Sequence, residues 1–85
     1  MDEKERSEKD LEKLKEIIAY FRGQPFAKKY PAQLDFSTSY WKDAEHYHEK
    51  GDYFTSFGCA NYAYGILEGV ILREKGKTFH ELSEK

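Results

Sequence analysis

Apolar positions recur at steps of three and four along most of the chain, which predicts an all-helical protein. From about 7 to 22, Leu11, Leu14, Ile17, Ile18 and Phe21 form one stripe, and Lys, Glu and Arg fill the other face. Gly23 followed by Pro25 is a stop signal: a residue free to take positive φ, then one that cannot continue a helix. Gln24 to Tyr30 reads as a linker with Phe26 and Tyr30 tucked against the helices. Pro31 suits a first helical position, where its missing N–H costs nothing. A second helix over about 32–50 gathers Leu34, Phe36, Tyr40, Trp41, Ala44 and Tyr47 on one face, with Ser37 and His48 beside them.

Lys50-Gly51-Asp52 reads as a tight turn, with Gly51 closing the second helix and Asp52 capping a third over about 53–74. So short a connection makes the two helices antiparallel. The third helix carries Tyr53, Phe54, Phe57, Ala60, Tyr64, Leu67, Ile71 and Leu72 on its main face, yet Cys59, Tyr62, Ala63, Ile66 and Val70 make the opposite face apolar too. A helix apolar all round is covered on most sides, here as the centre of a bundle or as part of a subunit interface. Gly58, Gly65 and Gly69 each cost about 1 kcal/mol of helix propensity against Ala. The expected return is close backbone approach, with Ala44 opposite Gly58 and Ser37 opposite Gly65. Gly76 ends the helix, and Thr78 to Glu81 has the capping-box pattern of one last short turn. The expected fold is therefore an antiparallel up-down-up three-helix bundle with a short C-terminal turn, one domain over 1–85.

Composition narrows the function classes. Seven Tyr, six Phe and one Trp in 85 residues can supply a small core with large buried surfaces, and rings left outside suit an interface. The net charge of −2 and pI near 5.9 give no basic stripe, so charge does not support a nucleic-acid partner. The lone Cys59 excludes an internal disulfide framework and fits a reducing cytoplasm. The first residues are charged, unlike a signal peptide, and no apolar run approaches the ~20 residues of a membrane span.

The segments Tyr40-Trp41-Lys42-Asp43-Ala44, Glu49-Lys50-Gly51-Asp52-Tyr53, Ser56-Phe57-Gly58 and Asn61 to Gly69 together resemble a known family. It is the group of short archaeal proteins called domain-of-unknown-function family three hundred and fifty-seven, and the resemblance spans about 34–72. It implies a cytoplasmic archaeal three-helix protein and offers no catalytic residues to carry over. Ser56 and Gly69 stand where the family pattern has Ala, Glu68 where it has Asp, and His48 where it has an aliphatic residue. A looser likeness links the Gly51-Asp52-Tyr53 turn, Arg73 and His80 to helical nucleotide-binding and ribonuclease domains of the HEPN type.

Three sets of residues invite a functional interpretation. Arg73 and His80 would stabilise charge and move protons at a phosphate, although Arg73 near a helix C-terminus also simply suits the dipole. Asn61 and Glu68, seven apart on the third helix, would need partners if buried; Tyr40, Trp41, Ser37 and His48 are the candidates. They form either a polar network fixing register or a small-ligand pocket of Tyr40, His48, Asn61, Tyr64 and Glu68. Glu45 and His48 have di-iron spacing but lack a second motif, and the pair His80–Glu84 is weaker still, so no metal or cofactor is expected. Cys59 reads as a small hydrophobe with no base beside it. The expectation is a non-enzymatic interaction module, self-associating or binding another protein. The alternatives are an RNA- or nucleotide-handling domain using Arg73 and His80, or a ligand binder around Asn61 and Glu68.

Overall fold

A computed structural model describes residues 1–83. Three long helices, α1 (Glu3–Arg22), α2 (Pro31–Glu49) and α3 (Tyr53–Lys75), are followed by a short α4 (Phe79–Ser83). The chain is an all-α, up-down-up bundle, with no strand among the described residues. α1 begins four residues earlier than the apolar stripe suggests, because Asp2 caps it by accepting a hydrogen bond from the Glu5 N–H at 2.8 Å.

The connections follow local chemistry. Asp52 caps α3 through the Thr55 N–H, Pro31 occupies the start of α2, and Gly76 closes α3 in the left-handed conformation at φ 72°. The Thr78–Glu81 capping box forms in full: the Thr78 N–H donates to Glu81 Oε1, and the Glu81 N–H donates to Thr78 Oγ1. Gly51 takes φ 84°, as a hinge requires. Gly23 does not take a positive φ; at φ −80° it ends α1 in the right-handed region, and Pro25–Lys29 then winds a 3-10 turn instead of a loose linker. That turn inserts Phe26 edge-on against Phe21, with ring centroids 5.3 Å apart.

The core comes from all four helices: Leu14, Ile17, Ile18 and Phe21 of α1, Ala44 of α2, Ala60, Ala63, Leu67 and Ile71 of α3, and Phe79 of α4. α1 and α3 run parallel in a nearly constant register. Ser7 bonds Ser56, Arg6 lies over the Phe57 ring at 4.7 Å, Asp10 meets Asn61, and Lys13 lies over the Tyr64 ring at 5.0 Å. α2 and α3 are antiparallel, and their pairing corrects the expected one. Ser56 Oγ donates to the Ala44 carbonyl at 2.6 Å, and Ser37 Oγ to the Ala63 carbonyl at 3.5 Å. These pairs lie symmetrically about Lys50 and not about Gly51, so each α2 residue meets a residue two positions earlier on α3 than expected. At about 100° per residue, two positions turn α3 through roughly 200°. The close approach is consequently made by Ser56, Ala60 and Ala63, which are buried. Gly58, Gly65 and Gly69 face outward, and a Cβ on any of them would meet nothing within 4 Å.

Candidate functional site

The polar groups that the fold brings together most closely are, apart from His48, not among the expected site residues. Ser7, Ser37 and Ser56 are fully buried, one on the core stripe of each long helix. Ser56 spends its single hydroxyl proton on the Ala44 carbonyl, so Ser7 Oγ, 2.9 Å away, must donate to Ser56 Oγ. His48 Nδ1, 2.8 Å from Ser7 Oγ, is then the donor in that contact. The chain of donors runs from His48 to Ser7 to Ser56 to a backbone carbonyl and joins all three long helices. In a neutral imidazole this requires the Nδ1–H tautomer; Nε2 lies 3.9 Å from Glu8 Oε1, an ion pair only when the ring is doubly protonated. A Ser–His nucleophile needs the opposite polarity, with the hydroxyl proton given to the ring, and a reachable hydroxyl. His48 therefore acts as a structural donor.

The expected pocket of Tyr40, His48, Asn61, Tyr64 and Glu68 is dispersed. Asn61 is exposed and donates to Asp10 Oδ2 of α1 at 2.9 Å and to the Phe57 carbonyl at 2.8 Å, so its partners lie on α1 and α3 and not on α2. Tyr64 and Glu68 lie one turn apart on α3 and are half-buried. Burial and then the charge of Glu68 push the Tyr64 phenol up to about 12. Glu68 Oε2 is buried with no hydrogen-bond partner among the described residues. Tyr40 is on the far side of the hairpin, in a ring cluster with Phe36 at 4.7 Å and Tyr62 at 5.1 Å.

Arg73 and His80 are both exposed, near the end of α3 and on α4. Each lies close to a carboxylate whose pKa it helps to lower. Glu74 is held down chiefly by the Tyr30 hydroxyl, then by Lys29, with Arg73 adding to it. Glu81 is held down chiefly by its Thr78 hydrogen bonds, with Lys77 and His80 adding to them. Glu84 of the suggested His80 pair lies outside the described residues. Among the described residues, no group of three or more His, Cys, Asp or Glu could hold a metal ion.

The larger surface feature is the outer face of α3. Phe54 is 69 % exposed, Tyr62 56 % and Leu72 47 %, and they share one run with Gly58, Gly65 and Gly69 at steps of four and three residues. Phe54 and Leu72, expected among the core residues, lie at the edge of the expected face and are exposed, whereas Ala60, Leu67 and Ile71 of that face are buried. Beside them Tyr40, Phe54, Thr55, Gly58, Cys59 and Tyr62 line an open, largely apolar groove. The Cys59 thiol there is pushed up by burial and then by the charges of Asp43 and Asp52.

Fold and surface together define a small helical bundle with a polar lock inside and an aromatic–glycine face outside. The chain belongs to the family described as protein of unknown function (DUF357), whose model matches residues 5–76. No curated protein and no solved structure matches it. No helix among the described residues is long and apolar enough to cross a membrane.

Proposed function

We propose that this protein is a non-enzymatic interaction module that self-associates through the outer face of α3. The observation that carries this reading is the exposed run Phe54, Gly58, Tyr62, Gly65, Gly69 and Leu72. Its steps of four and three are those by which two helices interdigitate. Three outward glycines give up helix propensity, about 1 kcal/mol each, with no contact inside the chain to offset it. Large rings beside small residues are the knobs and hollows of a close helix pair.

A second copy fits this face better than an unrelated helix. The positions of the run are spaced nearly symmetrically about the midpoint between Tyr62 and Gly65. A two-fold axis there sets Tyr62 of one copy over Gly65 of the other, and Gly58 over Gly69. Its ends carry opposite charge, Asp43 and Asp52 near the start of α3 and Arg73 and Lys75 near its end. Antiparallel packing brings acid against base and opposes the two helix dipoles. A stable pair needs roughly 800 Å² per partner.

The family resemblance adds an archaeal, cytoplasmic setting to this proposal. Light scattering from micromolar to high micromolar concentration tests it. A mass that rises toward the dimer, and stays monomeric in Tyr62→Lys, supports it. A monomer throughout, with no partner recovered from native cells, refutes it.

A further inference from the structure

A second feature lies on the opposite side of α2, where α1 and α2 enclose a groove of about 470 Å³, within the roughly 300–1,000 Å³ typical of small-molecule sites. Lys15, Ile18 and Arg22 line it from α1, and Thr38, Trp41 and Lys42 from α2. Its surface is mainly apolar. The charges on it are three cations, and no carboxylate lines it among the described residues. That is unusual in a chain of net charge −2, in which acids outnumber bases sixteen to fourteen.

The polar groups here are almost all donors. Arg22 Nη2 spends one N–H on Thr38 Oγ1 at 3.3 Å, leaving the rest of its five-donor fork. The Thr38 hydroxyl proton is committed to the Leu34 carbonyl at 2.8 Å. Trp41 also lines this groove, and its Nε1 is buried with no hydrogen-bond partner among the described residues. Two lysines and an arginine lining one groove, with no carboxylate among its lining residues, call for an anion from outside the chain. The apolar surface of Ile18 and Trp41 calls for a flat or aliphatic body attached to it.

We propose that the α1–α2 groove binds a small phosphate monoester carrying an apolar body. The phosphate sits among Lys15, Arg22 and Lys42, and the body lies against the Trp41 ring. Three cations favour a phosphate dianion over a carboxylate, because charge and acceptor oxygens both match the donors better. The site is independent of the α3 face and stands whether or not the protein dimerises.

Trp41 is the only tryptophan, so its fluorescence reports from the site itself. Phenyl phosphate serves as the probe, with benzoate, inorganic phosphate and benzyl alcohol as comparisons. The expected result is a saturable change in Trp41 emission with phenyl phosphate at submillimolar to millimolar concentration. Benzoate and inorganic phosphate should bind more weakly, and benzyl alcohol should give no saturable change. Arg22→Gln and Lys15→Gln should each weaken phenyl phosphate roughly tenfold, the scale of one lost charged hydrogen bond. Both residues are exposed, and unchanged helical circular dichroism will show that the variants fold. Lys77→Gln, outside the groove lining, should leave binding as it was. Absence of saturation, equal response to benzyl alcohol, or unchanged affinity in the Arg22 and Lys15 variants overturns the proposal. Benzoate binding as tightly as phenyl phosphate overturns the phosphate assignment.

Discussion

Ser7 Oγ and His48 Nδ1 lie 2.8 Å apart although 41 residues separate them, and this contact ties the first turns of α1 to the last turn of α2. The Ala44 carbonyl at the far end of the network fixes its direction, since each hydroxyl on the way hands on its only proton. Such a network is worth most when complete, because breaking it leaves the remaining groups buried and unpaired.

Ser56→Ala should therefore cost about 1–3 kcal/mol in urea unfolding, since it strips the Ser7 hydroxyl of its acceptor in a fully buried position. Ser37→Ala should cost less, under about 1 kcal/mol, because its contact with the Ala63 carbonyl is long at 3.5 Å and no other side chain depends on it. Equal losses would show that the linked serines behave no differently from the isolated one.

Alanine at the three outward glycines separates fold from association. Gly58→Ala, Gly65→Ala and Gly69→Ala meet no neighbour and sit within a helix, so each should stabilise the monomer by about 0.5–1 kcal/mol. The same changes should raise the dimer dissociation constant, because a methyl at Gly65 fills the hollow for the opposing Tyr62 ring and methyls at Gly58 and Gly69 hold the two facing backbones apart. A rise in melting temperature with unaltered self-association would remove the glycines from the interface.

Tyr64 should ionise late in the folded protein, near pH 12. Its phenol titrates near 10 when unfolded, so the folded state favours the neutral ring. That contribution is complete below pH 10 and is lost as pH climbs from about 10 to 12. Absorbance of tyrosinate against pH should show a late step that vanishes in Tyr64→Phe. Absence of a late step lost in Tyr64→Phe would contradict the burial of Tyr64 beside Glu68.

Cys59 should react slowly with iodoacetamide at pH 8, since burial and the nearby Asp43 and Asp52 disfavour its thiolate. Asp43→Asn should speed the reaction, and unfolding in urea should restore the rate of a free thiol. High protein concentration should slow it further if the groove beside Tyr62 is covered by a second copy.

The elements themselves were legible because capping and turn chemistry are local: Asp52, Pro31, Gly76 and the Thr78–Glu81 box act where the sequence places them. The phase of α3 was not. An apolar face that runs all the way round gives no preferred side, and a one-residue difference in the centre of the Gly51 turn decided which residues went inward. The signal that could have resolved it lay in the serines. Ser7, Leu11, Leu14, Ile18 and Phe21 follow one stripe, as do Ser56, Ala60, Ala63, Leu67 and Ile71, so a polar residue on an apolar stripe marked the true core of each helix. Asn61 was misplaced for the same reason. The α1–α2 groove was not visible at all, because Lys15, Arg22, Trp41 and Lys42 meet only once two helices have packed.

The parallel register of α1 and α3 governs how the molecule assembles. Ser56 reaches Ala44 across a 12-residue span, whereas Ser7 reaches Ser56 only across 49. Closing the longer span costs more chain entropy and gains nothing until the α2–α3 hairpin exists to receive it. The hairpin should form first and α1 should dock last. In folding kinetics, Ala44→Gly should slow refolding, while Leu14→Ala should mainly hasten unfolding.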